Sequence, residues 1–189
     1  MAFTVLLDAN VLYPAYLRDV LLRLAQAEIF QVRWSEQILD EMARNVKAST
    51  DSSLHTHVDR TIELMKKHFP EAMVTGYEDL IPSMTNHPED RHVLAAAIEG
   101  RADLIVTSNL RHFPPESCEP HDIDVQPPDD FLCYQWDVGD PEYVVRVLRH
   151  WASQLSNPPL TLEQLLEILA RSTPKFSETV LQFVRDQAR

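Results

Sequence analysis

The sequence predicts an α/β protein built on a parallel sheet, and three observations carry that reading. Two short apolar runs of strand type, residues 3–7 and 104–107, are separated by segments whose apolar residues recur at helical spacing. Strands alternating with helices indicate a parallel sheet with right-handed crossovers. Both runs end in polar side chains, Asp8 after the first and Asn109 after the second, and open parallel sheets carry their chemistry outside the carboxyl ends of their strands.

Residues 3–7 form the expected first strand, with Asp8-Ala9-Asn10 as the turn after it. Leu17, Val20, Leu21 and Leu24 then recur as one face of a helix. Ser35 is the expected N-cap of a second helix, whose Ile38, Met42 and Val46 stand four residues apart. Ile62, Met65 and Phe69 mark a helix that ends at Pro70, and residues 72–75 read as a short strand before the Gly76 turn. His87-Pro88-Glu89-Asp90 feeds an Ala-rich helix closed by Gly100. The composition changes near Pro127-Pro128. Three helical patterns follow, at residues 143–155, 161–170 and 176–184, separated by Pro158-Pro159 and Pro174. The expected division is an α/β domain over 1–132 and a C-terminal helical extension over 133–189.

Composition bounds the rest. With 44% hydrophobic residues in 189, one proper core can be buried. No run approaches the length of a transmembrane helix, and the N-terminus lacks the charged and apolar regions of a signal peptide, so a cytoplasmic setting with no membrane partner is expected. Cys118 and Cys133 have no zinc-type spacing. Three glycines and no phosphate-binding loop argue against a nucleotide cofactor. The net charge of −12 opposes sequence-blind binding of nucleic acid. The distribution softens that objection, since eight of the eleven bases in residues 1–132 fall between Arg18 and Lys67. A narrow substrate or a basic protein partner suits this balance.

Asp8, Glu41 and Asp90 are the candidate metal ligands. Each has a bland reading: Asp8 as a turn or cap residue, Glu41 as a salt bridge to Arg44 three residues on, Asp90 as an acid favouring the helix dipole. Glu41 stands beside the buried stripe, where an unpaired carboxylate is costly, whereas Asp40 falls about 100° away and is expected in solvent. Converging carboxylates repel unless a cation or proton offsets them. A hard divalent ion, Mg²⁺ or Mn²⁺, is the simplest offset. His87, His92 and His112 lie near these acids and are expected in supporting or exposed positions, and His55 and His57 at the surface. No Ser/His/Asp arrangement marks a nucleophile triad.

On four ordered blocks the chain resembles a PIN domain, the metal-dependent ribonuclease fold of VapC-type toxins in bacterial toxin–antitoxin pairs. The blocks are Leu6-Leu7-Asp8-Ala9-Asn10-Val11-Leu12, Ser35-Glu36-Gln37-Ile38-Leu39-Asp40-Glu41, Asp90-Arg91-His92-Val93-Leu94-Ala95-Ala96-Ala97, and Val106-Thr107-Ser108-Asn109-Leu110-Arg111-His112-Phe113-Pro114. The resemblance covers residues 3–131 and implies a three-layer α/β/α fold. It implies that Asp8, Glu41 and Asp90 hold Mg²⁺ or Mn²⁺, that Asn109 stands where many members carry a further Asp, and that Asn10, Ser35 and Thr107 support the site. It implies an RNA substrate, a tRNA or rRNA, and a cognate antitoxin with a basic segment; a homodimer is left open. Two other readings fit part of the pattern. One is an interaction module that captures a basic partner. The other is a haloacid dehalogenase-type phosphatase, which wants an Asp where Asn10 stands and a lysine absent between Lys67 and Lys175.

Overall fold

The computed structural model describes residues 3–187. Its sheet has five parallel strands: β1 (Thr4–Leu7), β2 (Gln31–Ser35), β3 (Met73–Val74), β4 (Leu104–Val106) and β5 (Asp124–Gln126). The spatial order is β3-β2-β1-β4-β5, with Val5 beside Val32 on one side and Leu104 on the other. All four residues of β1 are buried, as a central strand covered on both faces requires. Around the sheet run α1 (Ala9–Leu12), α3 (Glu36–Ser49), α4 (His55–His68), α5 (Arg91–Glu99) and α6 (Pro115–Cys118), while α2 (Ala15–Gln26) interrupts them in sequence.

The strand order reverses between β1 and β4, so right-handed crossovers carry α3 and α4 to one face and α5 and α6 to the other. The α/β class and parallel sheet expected from the sequence are present. So are the Ser35 cap, whose hydroxyl accepts from Ile38 N at 3.2 Å, and the Gly100 stop of α5. Gly100 is dictated by crowding. A Cβ there would sit 2.8 Å from Val74 Cγ2 and 2.9 Å from the Ala96 carbonyl. Two strands escaped the sequence reading, β2 and β5. The first reads Gln-Val-Arg-Trp-Ser and the second Asp-Val-Gln, too polar and short for an apolar run.

Cα packing divides the chain into two compact units, residues 1–14 with 30–126, and residues 15–29 with 127–189. The second holds α2, α7 (Pro128–Val138), α8 (Pro141–Gln154), α9 (Leu162–Leu169) and α10 (Pro174–Gln187). Within it Trp136 meets Phe183 edge-on at 5.2 Å, and the Arg23 guanidinium lies 5.3 Å from the centre of the Trp151 ring. Asp129 is buried because its carboxylate caps α10, accepting from Lys175 N at 3.1 Å and Phe176 N at 2.9 Å. A capping box of Thr161 and Gln164 starts α9. No helix among the described residues is long and apolar enough to cross a membrane.

Ser35 is fully buried and its hydroxyl is spent on the helix. Ser35→Ala should therefore lower the stability of the protein by about 1 kcal/mol, measured by urea unfolding. An unchanged midpoint would show that the cap is not what holds the start of α3.

Candidate active site

The strand-order reversal brings the loop after β1 beside the loop after β4, and a hydrogen-bonded knot joins them. Asp8 leaves β1 with its N–H donating to the Val106 carbonyl at 3.2 Å. One carboxylate oxygen, Oδ1, accepts from Ala9 N at 2.6 Å. The other, Oδ2, accepts from Thr107 Oγ1 at 2.7 Å and from Asn10 Nδ2. Asn10 also donates to Thr107 Oγ1 at 2.9 Å, while its carbonyl accepts from Ser108 N at 2.9 Å. Thr107, fully buried, accepts a further bond from Asn109 N at 3.0 Å. Asp8 is thus the turn and cap residue of its bland reading, and also something more.

Asp8 is 3% exposed, and its three donors are all neutral. Burial pushes its carboxyl up from 3.8 to about 6; the Thr107 and Ala9 hydrogen bonds oppose the rise, and the charges of Asp90 and Glu41 add to it. No Lys or Arg is among the groups that shift it. A carboxyl moved this far is disfavoured as the anion by about 3 kcal/mol. Hard oxygen donors with uncompensated negative charge fit a hard divalent cation.

Asp90 ends a 3₁₀ turn and precedes α5, yet its carboxylate makes no capping bond. Instead Oδ2 lies 2.6 Å from His112 Nδ1, with the imidazole N–H donating. The turn carrying Asp90 is braced by Asn86 Nδ2, which donates to the Asp90 carbonyl at 3.0 Å, and by His87 N, which donates to the His112 carbonyl at 3.1 Å. His87 and His112 stack with ring centres 4.0 Å apart. Glu41, on α3, faces His92 Nε2 at 3.6 Å, a charge contact too long for a good hydrogen bond. That imidazole is the main reason Glu41 sits below the usual carboxylate range, against the pull of burial; Arg44 contributes least. Asp40 is exposed.

The structure therefore brings Asp8, Asn10, Thr107 and the Asn109 backbone into one network, with Asp90 and Glu41 near enough to act on Asp8 electrostatically. Among the described residues the ligand atoms lying within 4.8 Å of one another belong to His87, Asp90 and His112, not to the three carboxylates. Asp90 and Glu41 are instead each turned to an imidazole. Ser35 bonds to its own helix, and the Asn109 side chain makes no hydrogen bond among the described residues. The pairings of His92 and His112 were missed in the sequence. Their closeness to Asp90 and Asn109 along the chain was the available signal, but it does not say which acid each would face. Beside Asn10 a cavity of about 400 Å³ is lined by Tyr13, Asn45, Ala48 and Ser49, all uncharged.

Comparison with known proteins finds two family models on separate stretches of the chain. A family model described as "PIN domain" matches residues 4–111, and one described as "VapC50 C-terminal domain" matches residues 128–187. "Putative ribonuclease VapC50" of Mycobacterium tuberculosis is 43% identical over 106 residues, covering 56% of this chain and 62% of that protein. The match thus spans less than two thirds of the relative's length. No solved structure matches.

The Asp8 environment predicts how metal-free stability depends on pH. The folded carboxyl keeps its proton to higher pH than the unfolded chain does. The folded state therefore binds more protons between 3.8 and about 6, and stability falls as pH rises through that window. Wild type should lose about 3 kcal/mol relative to Asp8→Asn between pH of about 4 and 7, followed by urea unfolding in chelator. Parallel profiles for the two proteins would mean that Asp8 is not held as an under-compensated anion.

Proposed function

The chain belongs to the PIN domain family, and from that footing we propose that it is a divalent-metal-dependent endoribonuclease, the toxin of a type II toxin–antitoxin pair with a narrow RNA target. One observation carries the reading. A buried carboxylate stands where the strand order reverses, ringed by neutral donors, flanked by two further acids and offset by no cationic side chain of its own. RNA is favoured over DNA by the likeness to a protein named "Putative ribonuclease VapC50".

In this reading Asp8, Asp90 and Glu41 hold Mg²⁺ or Mn²⁺, and Asn109 offers an amide oxygen at the edge of the site. When bound, such an ion supplies Lewis acidity toward a water and toward the scissile phosphate. The protein's own groups do the positioning. Thr107 and Asn10 fix the rotamer of Asp8, and the Thr107 hydrogen bond favours its ionised form against the pull of burial. His112 aims Asp90, and His92 keeps Glu41 ionised as an acceptor for a water proton. The uncharged cavity beside Asn10 gives a nucleotide next to the cut a place without charge repulsion, and Tyr13, 39% exposed, offers it an aromatic face. The chain's net charge of −12 disfavours other RNA contacts, which keeps the target narrow. The same acidity suits an antitoxin whose Arg or Lys side chain enters the site by charge-assisted hydrogen bonding.

Cleavage assays on small structured RNAs in Mg²⁺ test this directly. Asp8→Asn and Asp90→Asn should each lower the rate by at least about a hundredfold, while Asn109→Asp should lower the Mg²⁺ concentration needed for half-maximal cutting. Wild-type binding of a basic partner with no cleavage of any RNA would favour the interaction-module reading instead. Unchanged cleavage by Asp8→Asn would remove the carboxylate centre from the chemistry.

A further inference from the structure

Asp90 presents its two carboxylate oxygens to different surroundings. Oδ2 meets an imidazole at 2.6 Å, and Oδ1 has no hydrogen-bond partner among the described residues. Three ligand atoms, one each from His87, Asp90 and His112, lie within 4.8 Å of one another. From this cluster we infer that the chain carries a second, imidazole-rich metal site on the Oδ2 side of Asp90, selective for a borderline transition ion of the Zn²⁺ class.

Donor chemistry and the way the donors are held both point to an ion of this class. Two imidazoles and one carboxylate suit Zn²⁺ and its neighbours, whereas Mg²⁺ takes oxygen ligands and gives up its waters reluctantly. An ion with bonds of about 2.1 Å to nitrogen and oxygen takes the place of the proton now shared by His112 Nδ1 and Asp90 Oδ2, with those two atoms parting to roughly 3 Å. The backbone supplies the preorganisation. His87 N donates to the His112 carbonyl at 3.1 Å and Asp90 N donates to the His87 carbonyl at 2.9 Å, so all three ligands hang from two short turns tied to each other. The stacked rings, 11° from parallel, put both imidazoles on the same side of Asp90; an ion must lie in the plane of each imidazole it binds, so the exposed His87 ring swings out of the stack to ligate it. His87 Nδ1 accepts from Glu89 N at 3.4 Å, which leaves Nε2 as its donor to an ion. Oδ1 of Asp90 stays available to the carboxylate centre, and the two sites share one side chain.

The bland alternative is that His112 only orients Asp90 and His87 only covers His112. Titration of the full-length protein with Co²⁺, followed by its visible absorption and then by Zn²⁺ displacement in excess Mg²⁺, separates the two. A single Co²⁺ equivalent is expected, with bands of nitrogen ligation, displaced by Zn²⁺ and not by Mg²⁺. His87→Ala and His112→Ala should each weaken binding by at least about tenfold, while Asp8→Asn keeps it. His87 is exposed, so His87→Ala decides the question even where His112→Ala unfolds. Equal affinity in wild type and His87→Ala would overturn the inference, as would a loss in Asp8→Asn as large as in the histidine variants. The readout is binding, and it stands apart from whether any RNA is cut.

Discussion

Asp8 leaves the central strand of the sheet into a buried niche where, among the described residues, its carboxylate is met by neutral donors. The niche follows from topology. With the strand order reversing beside β1, the loops after β1 and β4 must face each other, and a parallel sheet leaves both at the carboxyl edge. Thr107 and Asn10 fill the gap with a set of hydrogen bonds that fixes one carboxylate orientation. Three neutral donors reduce the cost of a buried anion without removing it, because burial still dominates. The fold therefore holds a negative charge in a defined place with its compensation incomplete.

The other two acids answer the same constraint differently. Asp90 and Glu41 each face a histidine, an arrangement that keeps them available to a ligand while their charges still act on Asp8. Among the described residues their close side-chain contacts are histidines, and an imidazole can give up its place to an ion where an Arg or Lys would stay. This gives the site two kinds of donor, oxygen around Asp8 and nitrogen on the far side of Asp90. The acidic edge is open to charge from outside the chain, whether an ion, or a basic side chain of a partner protein.

Much of this was legible in the sequence, for physical reasons. β1 and β4 are buried throughout, and α5 from His92 to Ala97, so their apolar runs stand out in the sequence. The Ser35 cap and the Gly100 stop carry their signals in residue type. Asp8, Glu41, Asp90 and Asn109 stood out because they sit at the ends of such elements. β2 did not stand out, since its Arg33 and its exposed Gln31 break the pattern of a buried strand. α7 was hidden behind Pro127-Pro128, which in the structure cap and begin the helix rather than mark a linker. α2 packs against α8 and α9, although it follows β1 and α1 directly, and nothing local in residues 15–26 reveals which surface their apolar face will meet. The histidine pairings lay beyond reach for the same reason. Periodicity says that a residue is on a face; it does not say what comes opposite.

The account turns on Asp8 being an anion that the protein alone does not satisfy, and its titration can be followed directly. Carboxyl ¹³C chemical shifts of selectively labelled aspartate, assigned through Asp8→Asn, give its ionisation in chelator and in Mg²⁺. The account predicts a midpoint of about 6 without metal and a clear fall when Mg²⁺ is present, since a nearby cation favours the charged form. A midpoint in the ordinary aspartate range, unmoved by Mg²⁺, would contradict it.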